Sequence, residues 1–114
     1  MSSSFRQYAT ANVAIAETLG PVGTALRRHG WQLVELRLHL AAASAAEDLT
    51  VTLDSAAGAM YDVVLLTAAM NALADYHWLP VRPIVLDPGD VLNIAFPNTN
   101  TDVYGLELIW QGGG

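Results

Sequence analysis

The sequence predicts an all-β domain: an antiparallel β-sandwich or jelly-roll-like fold of about seven to eight strands with at most one short helix. Three observations predict it. Apolar and polar residues alternate with period two in most segments from Trp31 onward, which turns one side of each segment to a core and the other to water. Turn signals recur at roughly 8 to 12 residue spacing, as short antiparallel strands require. The 114 residues suffice for one core, since domains typically hold about 100 to 150, and no repeat, heptad or low-complexity linker marks a second. Residues 1–29 are expected as an N-terminal arm or edge strand packed on the same domain, 30–111 as the sandwich core and 112–114 as a flexible tail.

In chain order, Ser2 to Ser4 read as a mobile end. Tyr8 to Thr18 reads as a strand because Thr10, Val13, Ile15 and Thr18 are β-branched, and Gly20-Pro21-Val22-Gly23 stops it. In the segment from Trp31 to Leu40, Val34, Leu36, Leu38 and Leu40 fall on one face and Glu35, Arg37 and His39 on the other. Ala41 to Asp48 is a loop, after which Leu49, Val51 and Leu53 alternate with Thr50, Thr52 and Asp54. Ser55 to Ala59 is a turn. Met60 to Thr67 is apolar on both faces, which predicts a strand covered on both sides or lying at a subunit contact. Ala68 to Asp75 is expected to hold a short helical turn, with Met70 and Leu73 at helical spacing.

Tyr76 to Pro80 reads as an aromatic-rich loop, and Pro80 and Pro83 confine any strand nearby to an edge or a first position. Asp87-Pro88-Gly89-Asp90 predicts a type II turn, with proline presetting φ at the second position and glycine supplying positive φ at the third. It joins Ile84 to Leu86 with Val91 to Phe96, where Leu92, Ile94 and Phe96 share a face. A polar loop over Pro97 to Asp102 precedes the last strand, Val103 to Gln111, with Tyr104, Leu106, Leu108 and Trp110 inward and Glu107 outward.

Composition narrows the function classes. Charged residues are only 14% of the chain against about 25% in ordinary domains, so much of the surface carries no charge and suits contact with other chains. The net charge is −6 and the five basic residues are all arginines, with Arg27 and Arg28 the longest run. That is no footprint for a phosphate backbone, and no nucleic acid is expected as a partner. Cysteine is absent, which excludes disulfides and thiolate metal sites. The serine-rich start lacks a basic segment followed by a long apolar one, so no secretory signal is expected. No apolar run reaches the roughly 20 residues of a membrane helix, and no membrane partner is expected.

No catalytic residue, cofactor or metal is assigned. There is no Gly-x-Ser-x-Gly elbow and no cysteine nucleophile. His29, His39 and His77 lie far apart without metal-ligand spacing. Asp54, Asp62, Asp87, Asp90 and Asp102 gather near strand ends, where carboxylates converge on calcium or, more often, cap turns. Glu35 and Glu107 form a glycosidase-like carboxylate pair only where their strands adjoin. The interaction residues assigned are Tyr76, His77 and Trp78 in the aromatic segment, Arg27 and Arg28 as holders of a neighbour's carboxylate, and Tyr61 at the head of the doubly apolar segment. Tyr76 and Trp78 suit stacking on a sugar ring or anchoring a protein, or capping the core.

Leu49-Thr50-Val51-Thr52-Leu53-Asp54, Tyr61-Asp62-Val63-Val64-Leu65, Asp87-Pro88-Gly89-Asp90-Val91-Leu92 and Tyr104-Gly105-Leu106-Glu107-Leu108 follow one another in an order that resembles small β-sandwich proteins from the structural-gene regions of tailed phages and prophages. The resemblance implies a non-enzymatic virion component: a capsid decoration protein, a head spike or fibre base, or a neck or tail adaptor. Its partners would be copies of itself and other virion proteins, and its location the particle, assembled in host cytoplasm. The alternative from another class is a carbohydrate-binding sandwich module that holds a glycan on the Tyr76 and Trp78 segment.

Overall fold

The computed structural model describes residues 4–20, 31–87 and 89–112. Among them are nine strands: β1 (Ser4–Ala11), β2 (Ile15–Leu19), β3 (Trp31–Leu40), β4 (Asp48–Asp54), β5 (Val63–Ala69), β6 (Asp75–Trp78), β7 (Ile84–Leu86), β8 (Val91–Phe96) and β9 (Tyr104–Gly112). They form two antiparallel sheets. Sheet A has the order β1-β9-β3-β6, with β7 also on β3, and sheet B the order β2-β8-β4-β5. The partners run from the chain's ends inward: β1 with β9, β2 with β8, β3 with β6 and β7, β4 with β5. This is a long antiparallel ribbon rolled into two layers, the jelly-roll winding. The short links β1–β2 and β5–β6 cross between the layers, so β1 stands over β2 on one flank and β6 over β5 on the other.

The alternating residues build the core. Leu36, Leu38, Leu40, Leu106, Leu108 and Trp110 of sheet A face Leu49, Val51, Leu92, Ile94 and Phe96 of sheet B, all essentially without exposure. Each such side chain contributes about 1.5–3 kcal/mol relative to an exposed one. At one end, Phe5 meets Trp31 edge to face at 4.8 Å and stacks on Trp110 at 6.4 Å. Trp110 Nε1 donates to Gln7 Oε1 at 3.1 Å, which satisfies the indole inside the layer.

Several sequence expectations are corrected here. The expected strand from Tyr8 to Thr18 is two strands, β1 and β2, in different sheets, with the corner between them tied by Asn98 Nδ2 donating to the Val13 carbonyl. Ser4 belongs to β1 and pairs with Gln111 instead of being a loose end. Leu33, not Val34, is buried with Leu36, because a bulge between Leu33 and Glu35 shifts the phase of β3. No helical turn forms over Ala68 to Asp75; among the described residues the one short helix is a 3-10 turn at Ala59–Tyr61. Tyr76 to Trp78 is strand β6, not loop, and pairs with Leu36–Leu38. Gly112 is the last residue of β9 and pairs with Trp31. A Cβ there would stand 2.8 Å from the Trp31 ring, so glycine lets the indole close over the strand end.

β5 is not covered on both sides. It is the edge of sheet B, and Val63 and Val64 are exposed. The Asp87–Asp90 turn forms as expected, with the Asp90 N–H donating to the Asp87 carbonyl at 3.0 Å and Gly89 at φ 92°. No helix among the described residues is long and apolar enough to cross a membrane.

Candidate functional site

The outward positions of sheet A bring several charged and polar residues together. Cross-strand register decides what meets. Glu107 of β9 lies opposite Arg37 of β3, and Arg37 opposite His77 of β6, so a row of three polar residues crosses the sheet. Tyr8 of β1, opposite Glu107, extends it. The neighbouring row is Thr10, Gly105, His39 and Asp75. Side chains in such rows stand one strand spacing apart and interact directly.

The Arg37 guanidinium donates to Glu35 at 2.5 Å and to Glu107 at 3.4 Å, so it stands between the two carboxylates. His77 Nε2 shares a hydrogen bond with the same Glu35 oxygen, and His39 Nδ1 with Asp75 Oδ1 at 2.5 Å. The Glu35 side chain is only 15% exposed, against 45% for Arg37. The hydrogen bond from Arg37 outweighs the partial burial and, together with the bond to His77, holds the Glu35 carboxyl below the ordinary carboxylate range. The same contact raises Arg37 above its usual value. Glu35 and Glu107 thus do adjoin, but as two anions clamped by one cation.

Over Gly105 the face is indented. A depression of about 390 Å³ is lined by Arg37, His39, Asp75, His77 and Glu107 with the backbone around Gly105, and a second of about 290 Å³ continues it toward Tyr8 and Thr10. The two share Gly105 and Glu107.

The residues singled out from sequence are distributed differently from the expectation. His77 joins this face, while Tyr76 and Trp78 alternate with it, half-buried against the core. Their rings therefore cap the sandwich at β6. Tyr61 lies away from this face, 66% exposed beside the β5 edge. Arg27, Arg28 and His29 lie outside the described residues. Two of the aspartates fasten turns, Asp62 accepting from the Ser55 N–H at 2.8 Å and Asp90 from the Ala56 and Asp87 N–H groups, while Asp102 is tied to Asn98 through its backbone and its buried Oδ2 has no hydrogen-bond partner among the described residues. Asp54 closes β4, exposed. Among the described residues no group of three histidine or carboxylate side chains is placed to hold a metal ion.

Sequence reading put Arg37 and His39 on one face but missed Tyr8, Thr10, Asp75 and Gly105 as members of that face, because strands far apart in sequence bring them together. The available signal was Gly105, a glycine inside an otherwise regular strand. No family model matches the chain, and no curated protein matches it.

Proposed function

We propose that the chain is a non-enzymatic structural subunit that assembles with copies of itself, as a virion protein of a tailed phage does in capsid decoration, a head spike or fibre base, or a neck or tail adaptor. The observation that carries this reading is the β5 edge. β5 pairs with β4 on one side only, so among the described residues no strand meets its other side. Its sequence, VVLLTAA, has no charge and no proline, two of the devices that keep edge strands from pairing with other chains, and an irregularity at Leu65 is its one departure from regular pairing with β4. Val64 within it is 59% exposed and Met60 and Tyr61 beside it 93% and 66%, an apolar margin interrupted by Asp62, whose carboxylate accepts from the Ser55 N–H.

A second copy satisfies both needs at once. Two β5 edges related by a two-fold axis pair antiparallel, and the Met60 and Tyr61 side chains of each meet the apolar margin of the other. The low charge content of the whole chain and the jelly-roll winding suit repeated packing against neighbours. Many weak contacts in a symmetric array then sum to a durable attachment.

Sedimentation equilibrium of the purified chain tests the reading. A concentration-dependent oligomer is expected, converted to monomer by Val64→Lys combined with Met60→Glu. A strict monomer across about 1–100 µM, the range of ordinary weak self-association, would sink it. The particle context has a separate test. In virions purified from a host carrying the coding sequence, the chain would be present in repeated copies, and its absence would remove the virion part of the reading.

A further inference from the structure

We propose that the trough over Gly105, on the outer face of sheet A, is a binding site for a neutral saccharide. It is distinct from the β5 edge and does not depend on the assembly reading. Gly105 sits inside β9, a central strand, where glycine weakens the sheet and offers no side chain to pack. Neither usual reason for glycine applies. Its φ is not among the positive values found at Gly58 and Gly89, and a Cβ built on it would meet nothing within 4 Å. What a side chain would remove is the open space above the strand, and that space is the floor shared by the two depressions.

The walls specify the occupant. From Tyr8 to His77 the trough crosses four strands, three spacings or roughly 14 Å, the span of a short oligosaccharide. Along it, guanidinium, imidazole and carboxylate groups alternate, and each is held by a neighbour: Arg37 by Glu35 and Glu107, His77 by Glu35, His39 by Asp75. Carboxylates outnumber the one guanidinium, so an anion such as a phosphate is repelled. Each carboxylate of the trough already has a hydrogen-bonded partner on the face, Arg37 for Glu107 and His39 for Asp75. What is on offer is a set of oriented donors and acceptors, since Arg37 uses two of its five N–H donors in these bonds. Hydroxyl groups, each both donor and acceptor, answer such a set. Tyr8, 63% exposed at the β1 end, presents an aromatic face for the C–H side of a sugar ring. The glycine floor lets that ring approach the backbone.

The experiment is a screen of the full chain on an array of neutral, sialylated and amino-sugar oligosaccharides, followed by amide chemical-shift mapping with the best neutral binder. Saturable binding is expected, with shifts concentrated on Gly105, Arg37 and His77. Gly105→Val fills the floor and should abolish binding while leaving the melting temperature unchanged or higher, so lost binding there is not lost folding. Tyr8→Ala should weaken binding about tenfold, the loss of one aromatic contact. Thr18→Ala, on sheet B, should leave it unchanged. No saturable binder on the array overturns the proposal. So does a preference for charged sugars over neutral ones, a shift pattern centred away from β9, or a Gly105→Val chain that binds normally. If Gly105→Val instead alters sedimentation and not saccharide binding, the trough holds a protein group and the proposal fails.

Discussion

The outer face of sheet A and the β5 margin of sheet B are both turned to solvent, yet they are built from opposite materials. On the first, Glu35, Arg37, His77 and Glu107 form one hydrogen-bonded network, and His39 pairs with Asp75 beside it. On the second, Met60, Tyr61, Val63 and Val64 stand exposed on and beside an uncharged edge. Where charge is gathered, the surface is satisfied by itself and leaves an open trough; where it is missing, backbone and side chains are left for another chain to satisfy. The two regions ask for different partners, a soluble polar one and an apolar, strand-forming one.

The largest effect is expected where both regions depend on the same support. Trp110 lies inside sheet A on β9, between the networked face and sheet B, and holds Gln7 and Phe5 of β1. Trp110→Ala should cost about 3–5 kcal/mol of stability, the price of a large aromatic cavity, measured by chemical denaturation. It should weaken self-association and face integrity together. An effect on one region alone would mean that they do not share the core as described.

Arg37→Gln should separate the two regions by pH. In the folded chain Glu35 has a lowered pKa, so its contribution to stability is fully present above the ordinary glutamate value of about 4.3 and fades as pH falls through the folded value. The variant should therefore melt below the parent at neutral pH, and the gap should close as the solution is acidified through that window, with the β5 contact unchanged throughout. Melting curves recorded across the acid range check this. A gap that persists below the carboxylate range would assign the loss to packing of the arginine stem.

The smallest effect on stability is expected from Val63→Lys with Val64→Lys. Exposed substitutions usually change stability by less than about 0.5 kcal/mol, so the pair should leave unfolding almost unmoved while altering association. A large loss would show that β5 is supported from within the chain.

Most of the fold was legible because burial has a period. Leu36, Leu38 and Leu40 in β3, Leu92, Ile94 and Phe96 in β8, and Tyr104 to Trp110 in β9 announce their inner faces residue by residue. Features that depend on partners were not legible. The bulge at Val34 extends the register with Trp110 and Ile109 and leaves no local mark. β6 has four residues, too few for a period, and its aromatic content resembles a loop as much as an edge. β5 is apolar on both faces, a pattern shared by a strand covered twice and a strand awaiting cover. The candidate site was half visible: Glu35, Arg37 and His39 share an outward face by period alone, but their meeting with Glu107, Asp75 and His77 follows from register.

Ser4 stands opposite Gln111 where β1 lies along β9, on the flank away from β5. Whatever is joined to either of these positions therefore departs from one place, on the side opposite the bare edge. A tether attached there would hold the molecule by its back, leaving β5 clear for lateral packing. A short bridge between the same two positions would turn the rolled ribbon into a closed loop with no change in winding.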